Sequence, residues 1–204
     1  VGSTAVGTHV YNLAGQHGKR VQSKMGAKKH EEVMPDAHKE QTLNALVGAA
    51  FGAAGQRCMA LSVAVMVGET KHWVNDLVDK AKTLQVNAGH EPNTDVGPLI
   101  SQRAKAHVME LIHSGVEQGA ELLLDGRKVE VKGYEQGNFV GPTIFNHVDT
   151  QMRIYNEEIF GPVLVIMHVD TLEQAIQLIN ANPLGNGVGL FTQSGSTART
   201  FQNN

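Results

Sequence analysis

A chain of 204 residues that is 41% hydrophobic and 18% charged has apolar material for a core and too little charge for a disordered polyelectrolyte. Seventeen Lys and Arg against 20 Asp and Glu leave a formal net charge of −3, which offers nucleic acid or an anionic membrane no electrostatic hold. The single cysteine excludes an intrachain disulfide and any multi-cysteine zinc site, and no apolar run approaches the ~20 residues of a membrane helix.

Residues 5–17 can form a helix after the opening glycines, and a short strand is expected around Lys19–Ser23. From there to residue 40, Gly26, Pro35 and Asp36 amid mixed charges read as loop. Residues 40–54 are a clear helix, because Leu43, Leu46, Val47, Ala50, Phe51 and Ala54 recur at spacings of three and four. Gly48, Ala49, Gly52 and Ala53 make its other face small enough for a close neighbour, and Gly55 ends it. The β-branched run Ser62–Val67 reads as a buried strand. Helical spacing returns over 71–85 (Val74, Leu77, Val78, Ala81, Leu84) and, after Gly97-Pro98, over 101–118 (Ala104, Val108, Leu111, Ile112).

Strands are expected at 121–124, 128–132 and 139–145, and then over Pro162–Val169. Asp170-Thr171-Leu172-Glu173 has the form of a capping box opening a helix through Leu172, Ala175, Ile176 and Ile179, and Gly187–Thr192 is the last strand. This alternation predicts an α/β fold, a mostly parallel sheet flanked by helices. The chain starts at Val1 with no leader pattern and stops at Asn204 as a further helix begins, so it is expected to be a piece of a longer protein.

Three segments could carry chemistry. Cys58, in Gly55-Gln56-Arg57-Cys58-Met59-Ala60, sits between a helix end and a buried strand, with Arg57 beside it to favour a thiolate. A free cysteine also behaves as a small buried hydrophobe, and on these residues alone that reading stays open. Gly2-Ser3-Thr4-Ala5-Val6-Gly7 could let a phosphate approach a helix N-terminus, or be an ordinary turn. Asn156-Glu157-Glu158-Ile159-Phe160-Gly161-Pro162 offers a carboxylate for a ribose and a ring for a flat cofactor, or a solvated acidic turn. None of the ten histidines lies three or four residues from another; they read as scattered surface residues rather than metal ligands.

In order and spacing, Gly2-Ser3-Thr4-x-x-Gly7, Gly55-Gln56-Arg57-Cys58 and Glu157-Glu158-Ile159-Phe160-Gly161-Pro162-Val163 resemble the aldehyde dehydrogenase superfamily over essentially the whole chain. Met25–Lys28, Val33–Ala37, Leu46–Ala60 and Gly137–Thr143 are similar to its CoA-acylating branch, the methylmalonate-semialdehyde dehydrogenases of valine and pyrimidine breakdown. The resemblance implies that residues 1–26 are the tail of a Rossmann-like NAD-binding domain and 27–204 most of the catalytic domain. It implies Cys58 as nucleophile, Gly2 and Ser3 toward the pyrophosphate and nicotinamide, Glu158 on the nicotinamide ribose and Phe160 near the nicotinamide. Arg57 would hold the carboxylate of a small semialdehyde, matching it bidentately. NAD would be the oxidant and coenzyme A the acyl acceptor, giving propanoyl- or acetyl-CoA, in a homotetramer of the mitochondrial matrix in a eukaryote or the cytoplasm in a bacterium.

Hydrolytic members of the superfamily place a water-activating glutamate where this chain has Lys24, and acylating members a small amide. A protonated lysine cannot serve as that base, which favours transfer to coenzyme A over hydrolysis. The asparagine with which the family helps hold the oxyanion comes from an earlier segment, so this stretch alone is expected to turn over little or no substrate. The competing readings are a hydrolytic aldehyde dehydrogenase and an inactive piece that only binds full-length subunits.

Overall fold

The computed structural model describes residues 1–204. In chain order it forms α1 (Thr4–Gln16), β1 (Lys29–Val33), α2 (Lys39–Phe51), β2 (Leu61–Val67), α3 (Val74–Lys82), α4 (Gln102–Glu117) and β3 (Glu121–Leu124). There follow β4 (Thr143–Asn146), α5 (Arg153–Asn156), β5 (Val163–Val169), α6 (Leu172–Ala181), β6 (Val188–Phe191) and α7 (Gly195–Asn203). The strands make one sheet in the order β3-β4-β5-β2-β1-β6, parallel throughout except for the β3–β4 pair. This is the α/β architecture the alternation predicted.

The centre of the sheet explains its own sequence. β2 and β5 are buried along nearly their full length, and a strand covered on both faces must be apolar at consecutive positions rather than alternate ones. Leu46, Phe51, Leu77, Leu111 and Ile112 from the helices close over Val63, Val65, Val165 and Ile166 in one continuous core. Helix starts are pinned by side chains: Ser101 Oγ accepts from Ala104 N–H at 3.1 Å, and Thr171 Oγ1 from Gln174 N–H at 3.3 Å. The expected capping box takes another form: Thr171 is the N-cap, and Gln174 Oε1 accepts at 2.7 Å from the N–H of Asp170, one residue before it.

Several expected elements differ. Lys19–Ser23 forms no strand, since it is largely exposed and no sheet edge lies alongside to bond its backbone. The segment 128–132 also stays out of the sheet; Val131 instead packs with Ala88 and Phe139 in a small separate cluster. β1 forms where a loop was expected, its period hidden by Lys29, Glu31 and Glu32. His30, on the same strand, is a buried residue and not a surface one. Its Nδ1 donates to the Lys28 carbonyl at 2.7 Å, Nε2 lies 3.3 Å from the Tyr155 hydroxyl, and burial lowers its pKa to about 4.

Glu32 places a carboxyl group inside the sheet. It is fully buried in β1, and neither carboxylate oxygen has a hydrogen-bond partner. Burial, with the Glu31 carboxylate adding to it, pushes its pKa up to about 8. A raised carboxyl pKa favours folding fully only below the unfolded value and withdraws that stability as pH rises toward the folded value. Glu32→Gln removes the titration, so its stability advantage over the parent is expected to grow between about pH 5 and 8, by at most ~1.4 kcal/mol per pH unit. Urea unfolding followed by Trp73 fluorescence at pH 5, 6.5 and 8 measures it; a difference independent of pH would contradict a neutral buried carboxyl.

Candidate active site

Because β1, β2, β5 and β6 run parallel, the segments that lead into them converge at one end of the sheet. Those segments are Met25–Lys28, Gln56–Ala60, Glu157–Pro162 and Pro183–Gly187, and they hold most of the residues singled out from sequence. α2 delivers the first of them abruptly. Beyond Phe51 the chain makes one tight turn over Gly52–Gly55, in which Ala53 and Ala54 both take φ of 53° and Gly55 takes 68°. Left-handed alanines cost on the order of 1 kcal/mol each. Gly55 cannot be anything larger, because a Cβ there would strike the backbone carbonyl of Gly161.

The turn is held by its neighbours. Gln56 Oε1 accepts from Ile100 N–H at 2.9 Å, and its Nε2 donates to the Pro98 carbonyl at 3.3 Å. Arg57 folds its guanidinium back onto α2, where Nη2 donates to the carbonyls of Gly48 at 3.0 Å and Ala49 at 3.3 Å. The Gly48 carbonyl also accepts from Gly52 N–H, so the guanidinium adds a second donor there and sets a cation at the negative end of the helix. The small face of α2 makes this possible, for a Cβ on Gly52 would occupy the space of Nη2.

Cys58 is free and exposed. Its carbonyl accepts from Asn186 Nδ2 at 2.7 Å, tying the cysteine loop to the segment before β6. The residue lies where two spaces meet. One is a narrow slot lined by Ala27, Arg57, Glu158, Phe160 and Gly161; the other is a cleft of about 710 Å³ bounded by Thr4, Lys24, Met25, Met59, Pro183 and Asn186. The structure therefore brings Cys58, Arg57, Glu158 and Phe160 together.

The two adjacent carboxylates part ways. Glu157 is drawn off by Arg153, whose Nε and Nη2 meet it at 2.5 and 3.1 Å and hold its pKa below the ordinary glutamate range. Glu158 stays at the slot, with Oε1 accepting from Ala27 N–H at 3.0 Å and its backbone oxygen 3.1 Å from His107 Nε2. Phe160 follows in a left-handed conformation, φ 55°, with 43% of its surface exposed. A large aromatic left uncovered at a strained position is the kind of departure that marks a binding surface.

Gly2 and Ser3 do not reach Cys58. Gly2 N–H donates to the Lys24 carbonyl at 3.1 Å and borders a neighbouring hollow, whereas exposed Ser3 lines neither space around the thiol. Thr4 reaches the cysteine cleft instead, and its Oγ1 accepts from Gly26 N–H at 3.2 Å. No group of three or more His, Cys, Asp or Glu side chains is placed to hold a metal ion.

Lys28 was not among the residues marked for a role. It is fully buried, and its Nζ donates to the carbonyls of Ile154 at 2.6 Å and Glu157 at 2.8 Å, clamping the Glu158 loop to the strand entry. Burial lowers its pKa to about 7, with Glu158 and then Glu157 opposing the shift. Lysine normally reads as a surface residue, so only its place in Met25–Lys28 could have flagged it. Asn186 carried no local signal.

Two substitutions test this assembly. Lys28→Met leaves two buried carbonyls without a donor and is expected to lower stability by ~3 kcal/mol in urea unfolding; an unchanged midpoint contradicts the clamp. Gly55→Ala forces a Cβ into the Gly161 backbone and is expected both to destabilise and to slow alkylation of Cys58 by iodoacetamide at least threefold, as followed by intact mass.

Comparison with known proteins places this geometry in context. The model of the aldehyde dehydrogenase family matches residues 1–204. The chain is 60% identical over 201 residues to the human mitochondrial methylmalonate-semialdehyde/malonate-semialdehyde dehydrogenase [acylating], covering 98% of this chain and 38% of that protein. It is equally similar over 203 residues to the Aedes aegypti protein of corresponding name, covering 100% of this chain and 39% of that one. A crystal structure from Sinorhizobium meliloti, assigned as methylmalonate-semialdehyde dehydrogenase and complexed with NAD, superposes with a TM-score of 0.97 at 43% identity, over 100% of this chain and 42% of that one. The chain thus spans about two fifths of the length of these relatives.

Proposed function

The chain belongs to the aldehyde dehydrogenase family, and from that premise we propose that it carries the thiol half of an NAD-dependent, CoA-acylating oxidation of methylmalonate or malonate semialdehyde. The observation that carries the reading is the exposed Cys58 thiol in a slot shared with Glu158 and Phe160. The 60% identity to acylating dehydrogenases supports the substrate class.

Cys58 Sγ, as thiolate, attacks the aldehyde carbon and forms a tetrahedral adduct. NAD, when bound, would supply the hydride acceptor that turns this adduct into a Cys58 thioester. The residues present fit its nicotinamide half: Glu158 keeps a carboxylate at the slot, and Phe160 presents an uncovered ring beside it. Lys28 and the Ala27 N–H fix where that carboxylate stands. For the products to be propanoyl- or acetyl-CoA, the substrate's carboxylate leaves as carbon dioxide; coenzyme A displaces Cys58, its thiol sulfur taking the acyl carbon as its proton passes to solvent and the cysteine leaves as thiolate. Lys24 borders the same cleft where hydrolytic relatives would need a carboxylate base, so water has no such activating group there.

The division into a tail of the NAD-binding domain at 1–26 and a catalytic domain at 27–204 belongs to the same proposal. It is supported by α1, which has no buried residue in this chain. Assembly as a homotetramer belongs to it too, as does a mitochondrial compartment for a eukaryotic source or the cytoplasm for a bacterial one; the human relative is named mitochondrial.

A test independent of NAD loads the thiol directly. p-Nitrophenyl propanoate is expected to release about one equivalent of nitrophenolate and leave a propanoyl thioester on Cys58, visible by intact mass and absent in Cys58→Ser. The adduct should persist in buffer and discharge at least tenfold faster with coenzyme A, giving propanoyl-CoA. Discharge to free propanoate at the same rate without coenzyme A supports the hydrolytic alternative, and an adduct that survives Cys58→Ser removes the nucleophile.

A further inference from the structure

Asn186 holds the cysteine loop by a chemically perishable group. Its Nδ2 donates to the Cys58 carbonyl at 2.7 Å, and this is the side-chain bond that ties the segment before β6 to that loop. The residue that follows is Gly187, and the pair is the only Asn-Gly step in the 204 residues. Glycine has no Cβ to shield its nitrogen and leaves the backbone free to turn. An asparagine side chain therefore closes on the next nitrogen more easily before glycine than before any other residue. The pair lies between α6 and β6, outside helix and strand, and Asn186 lines the 710 Å³ cleft together with Cys58.

We propose that Asn186-Gly187 is a site of spontaneous deamidation, and that loss of the Asn186 amide releases the cysteine loop and lowers the reactivity of Cys58. The Gly187 nitrogen attacks Asn186 Cγ and gives its proton to solvent. The Cγ–Nδ2 bond breaks, ammonia leaves and a cyclic imide remains. Water then opens the imide at either carbonyl, giving an aspartate or an isoaspartate. While Nδ2 is bonded to Cys58, the amide is tied to the cysteine loop and not free to fold over the Gly187 nitrogen. The reaction therefore proceeds when the loop opens, and the bond protects the amide as long as it stands. The effect on the reaction rests on the reading of Cys58 as nucleophile; the chemistry at Asn186 does not.

The acid product undoes the site in two ways. A carboxylate has no proton for the Cys58 carbonyl, so the tie becomes two acceptors face to face. It also adds negative charge beside the thiol. The charged groups already there are Lys24 and the Val1 ammonium in the cleft, with Arg57 and Glu158 in the slot. A further carboxylate disfavours the thiolate directly, and by pairing with either ammonium it draws a cation away from the sulfur. Both effects act in one direction.

The chain incubated at pH 8 is expected to lose ammonia from Asn186 before any other asparagine, with paired aspartate and isoaspartate products in a peptide map. Gly187→Ala should suppress this at small structural cost, because the added Cβ meets only the movable Met59 Cε at 2.8 Å. Gln56→Ala frees the cysteine loop from Pro98 and Ile100. It should speed deamidation about threefold, as the loss of one net hydrogen bond implies; an unchanged rate overturns the protective bond. Asn186→Asp makes the acid directly. Its alkylation by iodoacetamide is expected to be about fivefold slower than the parent's at pH 7 and to converge with it near pH 10, where both thiols are ionised. A deficit equal at every pH, or none, overturns the effect on the thiol, and an Asn186 amide that outlasts the other asparagines overturns the site. Failure of Cys58 to take up the propanoyl group is a separate outcome, which removes the nucleophile and leaves the deamidation rates to be read.

Discussion

The site depends on the contact between two glycines far apart in sequence. Gly55 ends the turn after α2, Gly161 ends the Glu158–Phe160 loop, and their backbones touch so closely that no Cβ fits at Gly55. The nucleophile is three residues from one partner and the carboxylate three residues from the other. Their separation is therefore fixed by main chain, the stiffest material available, rather than by side-chain rotamers. The left-handed Ala53 and Ala54 on one side and Phe160 on the other are what the chain accepts to make that approach. Around it, the side chains of Arg57, Gln56, Asn186 and Lys28 all bond backbone groups, respectively at the end of α2, just before α4, in the cysteine loop and at the start of the Glu158 loop.

Location follows from the same arrangement. Open parallel sheets usually place ligands beyond the carboxyl ends of their strands. Here the converging loops precede β1, β2, β5 and β6, so Cys58 and Glu158 stand at the amino ends. Each functional loop is anchored by the buried strand that follows it, as Cys58 is by β2 and Glu158 by β5. These two strands form the most continuously buried part of the sheet.

The parts of this structure legible in sequence are those with one dominant signal. β2 and β5 stand out as apolar runs, α2 as a 3.6-residue period, and Cys58 as the lone thiol at a helix–strand junction. β1 was hidden because Glu31 and Glu32 mask its apolar character, and its pairing comes from β2 and β6, which are distant in sequence. Conversely, 128–132 has a strand-like alternation but no neighbour to pair with. At the site, residue types pointed to Cys58, Glu158 and Phe160, whereas the orientation of Arg57 could not be read, since its acceptors are carbonyls that every residue possesses. The buried Lys28 and Asn186 likewise bond only to backbone, which leaves no mark on a sequence.

α1 has a consequence for the wide cleft. The helix is 13 residues long and buries none of them, and Thr4, at its first turn, forms part of the cleft wall beside Cys58. Helices of this length are marginal without tertiary packing. Its side-chain ties to the body are the bond from Gly26 N–H to Thr4 Oγ1 and that from Thr8 Oγ1 to Met25 Sδ at 3.5 Å, with Met25 filling the space over Gly7. The two spaces around the thiol thus differ in what bounds them: the slot is enclosed by backbone tied into the sheet, and one side of the cleft by a helix whose apolar Val6, Val10 and Leu13 are uncovered in this chain.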